Sequence, residues 1–593
     1  MFNNDHHPIE DFFGVKPDAE KGQQKQPLKE AVKRPSLWSR LRLLPKVLST
    51  RERYLILVLL IVAGASVVAI PFTSYYHYTQ AAPAFGGAFS EGIVGEPRHV
   101  NPLLSQTNDA DRDLVSLTYS SLLKYNADGK LVPDLAKSYD ISSDELNYTV
   151  YLKDNAVWSD GQPVTADDVV YTIQTAQNAD YGSLQRINWQ GVEVQKVNDT
   201  TIIFKLKTKY AQFLNNFTIG ILPKHVWENV KPINFGVSDF NLKPVGSGPY
   251  VFSKLQKDDL GRVKSYELVA NKNYYDGRPY IETITLKFYD TEDQMIDAYN
   301  NNDIQNLSYI SPRNIKKLKF KQRLDIKTID LPRYFGVFFN QTVNPILADK
   351  NVRLALNYGT DRQALVDNIL NGNGNIIYSP LIENVLGIGD DITKYAYDPA
   401  QAQAILEAAG WAKGTDGILR KNNAPLAVHI TTSTFPELAD IANMLKDQWS
   451  ALGIQVTVDV LAAPQLQQVI KERSYEALLF GEILNLDPDP FSLWHSSQTK
   501  DPGLNLALYS NTTADGILES ARQTLNPADR AKKYDDFQKL VIADAPLVVL
   551  YNPVYLYPQT SAIKGFDASV ISMPSDRFSN IESWYIDTKR VGK

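Results

Sequence analysis

Between residues 146 and 173 the spacing of apolar side chains changes period within one short stretch. Tyr148, Val150 and Leu152 alternate with Thr149, Tyr151 and Lys153, which predicts a strand with one buried face. Asp160-Gly161 follows as a tight turn, because glycine reaches positive φ without a Cβ penalty. Thr165 then stands where an N-cap belongs, with Asp167 and Asp168 in the first turn of a helix running through Val169 and Ile173. Further strands are predicted at 201–207, 264–270 and 280–289, an α+β pattern. From about 330 to 545 the pattern turns α/β. Residues 427–432 read as a strand, 437–452 as a helix closed by Gly453, and 454–460 as the next strand, a βαβ unit. Asp398-Pro399 opens another helix that Gly410 closes, and a helix at 464–472 and a strand at 477–480 follow. Ligands of open α/β sheets sit beyond the carboxyl ends of strands, which directs attention to the loop after Phe480. A chain of 593 residues exceeds what one core holds, so more than one lobe is expected.

One apolar run fits neither pattern. Residues 54–76 carry no charge, and 55–70 are almost continuously apolar, close to the roughly 20 residues of a membrane-spanning helix. Residues 1–53 hold 11 Lys plus Arg against 7 Asp plus Glu, +4, so the remainder carries −10 of the total of −6. The positive-inside rule places that N-terminal segment in the cytoplasm and the large domain outside, and the acidic remainder argues against nucleic-acid binding. The competing reading is a cleaved signal peptide, for which Ala82-Pro83-Ala84 offers small residues. The run is longer than a signal h-region and the alanines lie well past its end, so an uncleaved anchor is the expectation. With no cysteine, neither lipid attachment through an N-terminal Cys nor a disulfide is available. Residues 1–53 read as a disordered basic tail, in which Leu37, Trp38, Leu41, Leu43 and Leu44 interleave with Arg40 and Arg42 as a short interfacial helix would, or as a plain topogenic flank. Residues 77–85 read as a tether.

Catalytic motifs are sparse. Ser121-Leu122-Leu123-Lys124 fits S-x-x-K, but neither S-D-N nor K-T-G accompanies it. Val245-Gly246-Ser247-Gly248 reads as a turn, and the histidines show no metal-ligand spacing. An enzyme is not expected, and no cofactor or metal is implied.

The order of residues adds a resemblance. Val132-Pro133-Asp134-Leu135-Ala136 leads into the 146–173 segment. After it come Pro244-Val245-Gly246-Ser247-Gly248-Pro249-Tyr250, Asn271-Lys272-Asn273-Tyr274-Tyr275, Phe339-Asn340, Asn351-Val352-Arg353, Thr360-Asp361-Arg362, Ala408-Ala409-Gly410-Trp411, Arg530, Tyr534, Gln538 and Ala545-Pro546-Leu547. This ordered set resembles extracellular solute-binding proteins of family 5, the peptide and nickel class that serves ABC importers. The resemblance implies an α/β, two-lobed periplasmic-binding-protein-like fold of type II with an enlarged first lobe, here preceded by one N-terminal transmembrane helix. The first lobe would span 86–330 with an inserted subdomain at about 115–220, the second 331–546, and 547–593 would return to the first. The implied function is capture of an oligopeptide or related solute by hinge closure, with an ABC permease and its ATPase subunits as partners. An anchored ligand-sensing receptor is the alternative, and an exported hydrolase using Ser121 a third reading.

The resemblance also implies where ligand would touch. Glu96 and Arg98 resemble the first cleft loop. Glu482, Asn485, Asp487 and Trp494 flank the Asp487-Pro488-Asp489-Pro490 segment, where family members that bind peptides place an aspartate three residues before an Asp-Pro pair to hold the ligand's ammonium. Counting back from either pair reaches Leu484 or Leu486, so that anchor is missing in register. Arg333, Tyr334 and Phe335 are candidates at the hinge, with hinge packing as the competing role for the two aromatics. Peptide, nickel chelate and sugar stay open as ligands.

Overall fold

The computed structural model describes residues 36, 38, 42, 47–382 and 388–593. Most of the tail, with Leu37, Leu41, Leu43 and Leu44, lies outside the described residues. The chain divides into two compact units, one running to Gln80 and including Arg590–Lys593, the other Ala81–Lys589.

In the first unit Thr50–Tyr78 is a single helix with no buried residue. Its start is held by Ser49 and Glu52, whose carboxylate accepts the Ser49 N–H at 2.8 Å, and its mean hydropathy reaches 2.8 over an 18-residue window. At its far end the Arg590 guanidinium lies 4.1 Å from the centre of the Tyr76 ring and donates to the Thr79 carbonyl at 2.7 Å.

The second unit is two-lobed. In the first lobe a five-stranded sheet runs in the order Asn306–Leu307, Ala88–Val94, Thr283–Tyr289, Val263–Ala270, Tyr250–Lys257. A separate antiparallel sheet orders Ala136–Ile141, Asn147–Leu152, Thr201–Lys205 and Glu193–Asn198. Here the 146–173 pattern behaves as its periods predict. Tyr148, Val150 and Leu152 are buried, Gly161 sits at φ +91°, and the helix is Ala166–Gln177. The Asp168 carboxylate accepts the Thr165 N–H at 2.8 Å and its hydroxyl at 3.1 Å, so the cap closes from the aspartate's side.

A seven-stranded sheet joins the lobes. Its path is Leu324–Asp330, Leu547–Thr560, Arg333–Phe339, Ala477–Ile483, Ala427–Ser433, Gln455–Leu461, with Gly374–Ile376 also against Leu547–Thr560. The 14-residue strand Leu547–Thr560 belongs to both lobes. Its beginning, Leu547 to Tyr551, pairs with Arg333–Phe339, and its end, Val554 to Thr560, pairs with Leu324–Asp330. The switch falls at Asn552-Pro553, opposite Leu331-Pro332. Asn552 Nδ2 donates to the Leu331 carbonyl at 2.7 Å and the Arg333 carbonyl at 2.5 Å, tying the two crossings together. The expected βαβ unit is present: Ala427–Ser433 pairs parallel with Gln455–Leu461 across the helix Pro436–Ala451, and Gly453 ends that helix at φ +92°. Beyond the sheet, Ile563, Ile571, Phe578 and Trp584 bury themselves in the first lobe's core.

Candidate functional site

Strand geometry decides which hinge residues face the cleft. Side chains alternate along Arg333–Phe339, and the two faces meet different cores: Val337 and Phe339 join one cluster of the second lobe, Tyr334 and Phe338 the other. Arg333 and Phe335 share a face and line a cavity of about 300 Å³ between the lobes. Tyr334 points the other way, is fully buried, and donates its hydroxyl to Glu482, directly opposite on the neighbouring strand. Glu482 is buried with it, and burial pushes its carboxyl up to about 8. Trp494 is packed beside Tyr509 and Phe537 in the same core. Tyr334, Glu482 and Trp494 therefore do not line this cavity, contrary to their expected place: alternation along the paired strands turns Tyr334 and Glu482 into the second lobe's interior, and Trp494 packs there from the short helix Phe491–Trp494.

The Asp487–Pro490 loop is also structural. Asp487 accepts two hydrogen bonds from Arg530, both at 2.9 Å, and Asp489 accepts from Arg522, whose guanidinium lies 4.1 Å from the Phe491 ring centre. The loop meets residues 210–212, where Gln212 Nε2 donates to the Pro488 carbonyl at 3.0 Å and Tyr210 to Asp489 at 3.3 Å. Asp487 is thus not free to replace the missing ammonium anchor. Asn485 alone of the loop's candidates reaches a cleft cavity, one of about 360 Å³ that also exposes Ser121, Asp134, Gln212 and Asp576. Glu96 and Arg98 pair with each other at 3.6 Å, Arg98 largely in solvent, and line neither cavity. Their loop is held from below, Asp111 accepting the backbone N–H groups of Arg98 and His99.

Several cavity residues carry no motif. Asp109, Asp113, Tyr309, Glu437, Tyr551 and Arg577 line the 300 Å³ cavity. Arg577 is fully buried between Glu91 and Asp113, each 2.6 Å away, and Tyr557 donates to Glu91 at 2.6 Å. Burial pushes Asp113 up to about 6 against the opposing pull of Arg577. These residues come from the helix Asp109–Thr118, the loop after Asn306–Leu307, the start of the helix Pro436–Ala451, the strand Leu547–Thr560 and the C-terminal segment, and are far apart in sequence.

The S-x-x-K pair does not form a catalytic couple. Ser121 lies in an extended bridge to Gly220, its hydroxyl donating to the Leu123 carbonyl at 2.7 Å, while Lys124 turns to Glu582 at 3.4 Å. A serine and a lysine three apart share a face only on a helix. Among the described residues no group of three or more His, Cys, Asp or Glu side chains is arranged to hold a metal ion.

Comparison with known proteins agrees with this architecture. Residues 130–503 match the family described as bacterial extracellular solute-binding proteins, family 5. The oligopeptide-binding protein AppA of Bacillus subtilis is 30% identical over 515 residues, covering 85% of this chain and 92% of its own. The structure of AppA from Bacillus subtilis in complex with a nonapeptide superposes with a TM-score of 0.68 at 29% identity, covering 85% of this chain and all of that one. NikZ from Campylobacter jejuni in complex with Ni(L-His) gives 0.70 at 27% identity, covering 84% and 99%. With the hinged double crossing, the cleft cavities and a match over well more than half its length, the chain belongs to the bacterial extracellular solute-binding proteins of family 5.

Proposed function

We propose that this protein is the substrate-binding component of an ABC importer, that it captures short peptides between its lobes, and that Thr50–Tyr78 anchors it with the lobes outside the cytoplasm. The observation that carries the reading is the paired crossing at Leu331–Arg333 and Tyr551–Val554, stapled by Asn552 and opening directly on a cavity that mixes aromatic walls with both signs of charge. Such a crossing lets two rigid lobes rotate with few backbone changes, and a ligand touching both lobes stabilises the closed form by its differential affinity. Of the residues singled out from sequence, Arg333, Phe335 and Asn485 are the ones we propose to face ligand. The lobe boundaries proposed are 86–330, 331–546 and 547–593, with the inserted region at about 115–220.

Binding rather than catalysis is supported by the family and by the engagement of the Ser121 hydroxyl with the Leu123 carbonyl and of Lys124 with Glu582. Peptide is favoured over a nickel chelate because the relatives similar in sequence include proteins named for oligopeptides, peptides and dipeptides, and over a sugar because the cavity carries charges of both signs that a neutral ligand would not pair. The permease and ATPase are the partners that the reading requires.

The test is small-angle scattering and intrinsic fluorescence of the full chain in detergent micelles, titrated with peptides, sugars and nickel–histidine. Peptides are expected to give saturable compaction. A response to the nickel chelate or a sugar alone would reassign the ligand, and silence toward all three classes would count against solute capture. Alkaline carbonate extraction of membranes tests the anchor: the chain should stay in the pellet at full length, and a shorter soluble product would mean cleavage near Ala82-Pro83-Ala84.

A further inference from the structure

Residues 77–85 read from sequence as a tether, but the structure leaves little of that stretch free. The helix Thr50–Tyr78 takes its first residues, and Thr79–Pro83 then forms a two-stranded sheet with Thr588–Gly592. These two strands hold both places where the chain passes between its compact units, Gln80–Ala81 and Lys589–Arg590.

The ribbon is fastened at both ends. On the helix side, Arg590 Nε donates to the Thr79 hydroxyl at 2.7 Å, and Nη2 to the Thr79 carbonyl at 2.7 Å and the Tyr76 carbonyl at 3.3 Å. The last carbonyls of a helix lack intrahelical partners and sit at the negative end of its dipole, so a guanidinium more than 500 residues further along the chain serves as the cap. Its centre lies 4.1 Å from that of the Tyr76 ring and 5.4 Å from that of Tyr75, and the Lys593 N–H donates to the Tyr78 carbonyl at 3.0 Å. On the lobe side, the Ala84 N–H donates to the Asp587 carbonyl at 2.9 Å and the Gly86 N–H to the Tyr280 carbonyl at 2.8 Å, while Phe85 stacks on Tyr280 with ring centres 5.1 Å apart. Gly87, at φ +82°, passes Ile586 so closely that a Cβ there would lie 3.1 Å from the isoleucine's own.

The ribbon covers a stretch with the composition of a cleavage site. Ala81, Ala82 and Ala84 are small, and proteases with narrow pockets take such residues from an extended strand whose backbone they pair with. A backbone already paired is withheld from them, and cleavage follows the population of the opened state. A two-stranded ribbon is by itself marginally stable, so the closed state of this one depends on its fastened ends. We propose that Thr588–Gly592 is a latch on the anchor. Closed, it withholds residues 80–85 from proteases that cut after small residues. Opened, it exposes them, and hydrolysis of the peptide bond after Ala81 or Ala84, water giving its hydroxyl to the carbonyl carbon and a proton to the freed amine, leaves the lobes without a covalent link to the helix. The latch rests on the reading of Thr50–Tyr78 as an anchor and adds to it what decides whether the lobes stay attached.

The experiment is digestion of the full chain in detergent micelles by elastase, with cut sites and their rates read by mass spectrometry. The unaltered chain is expected to be cut slowly between residues 80 and 85. Arg590→Ala should speed that cut about tenfold, the worth of one charge-assisted hydrogen bond, Arg590→Lys by less, and deletion of residues 588–593 by more. Cuts elsewhere in the chain should keep their rates, which a general loss of stability would raise together. Equal rates between residues 80 and 85 in the unaltered and altered chains would overturn the latch and leave the anchor standing. If thermal midpoints show the variants unfolded, hydrogen exchange on the unaltered chain decides: slow exchange of the Ala84 and Lys593 amides supports the latch, and exchange at the rate of an unstructured peptide overturns it. An unaltered chain recovered from membranes only as a soluble product beginning near Ala84 would count against the anchor and the latch together.

Discussion

Arg577 shows how a single side chain without any motif around it can organise a wall of the cleft. It is enclosed by Glu91 and Asp113, with the rings of Tyr557 and Phe578 within 5.5 Å. Removing one partner of a buried ionic cluster strands the others, so Arg577→Met should destabilise the protein by about 3–5 kcal/mol, read as a lowered midpoint of chemical denaturation. Glu482 makes a second prediction with a definite sign. Its carboxyl is raised by burial to about 8 in the folded protein, while an unfolded glutamate titrates near about 4.3. Between those values the folded state binds more protons, so stability is greatest below the lower value, falls as pH rises toward 8, and levels off above. Glu482→Gln, which keeps an acceptor for Tyr334, should flatten that slope in thermal melts from pH 5 to 9; an unchanged slope would mean that other groups carry it. That Glu482 and Tyr334 are interior, and Arg333 exposed to the cleft, follows from alternation along two paired strands in a register that no local sequence pattern states.

Most segments that carried the family resemblance turn out to hold elements to one another. The glycine turn at 244–250 presses on the end of the helix Asp109–Thr118: a Cβ on Gly246 would lie 1.8 Å from the Thr118 carbonyl oxygen, and the Gly248 N–H donates to that oxygen at 2.9 Å. Gly246→Ala should therefore cost about 3 kcal/mol, the upper end of the overpacking range. Gly516, in the helix Thr512–Arg522 with open space where its Cβ would be, provides the contrast; Gly516→Ala should stabilise by about 0.5–1 kcal/mol through helix propensity. Both are measurable as shifts in thermal midpoint. Asn271 clasps the glycine turn through the Gly248 carbonyl, and Arg353 clamps the Asp544-Ala545 carbonyls at the start of the returning strand. Element positions were legible because period and capping are local properties. Residues 437–452 were expected as a helix and form Pro436–Ala451, whereas 201–207 and 280–289 shorten to Thr201–Lys205 and Thr283–Tyr289. Strand ends depend on where the partner stops, which the strand itself does not encode.

At the level of the two lobes, the hinge and the cleft mouth differ in weight. Asn552→Ala removes both bonds joining the crossings and should widen the free protein's conformational range, seen in small-angle scattering as a larger difference in radius between free and peptide-bound states. The ion pair between Arg313 and Asp440 at the mouth is 3.8 Å long with both side chains substantially exposed, and exposed pairs contribute little, so Asp440→Asn should change peptide affinity less than about threefold. The sequence alone determined the elements, the two-lobed class and the apolar helix at Thr50–Tyr78, because periodicity, capping and uncharged length act over neighbouring residues and the ordered motifs mark a scaffold. It did not determine the binding surface. Asp109, Arg333, Glu437, Tyr551 and Arg577 are separated by up to hundreds of residues and meet only where a sheet shared by both lobes brings the hinge, a helix start and the C-terminal segment around one cavity. Which charges remain unpaired there depends on what every neighbouring group has already satisfied, a property of the packed molecule and of no single segment.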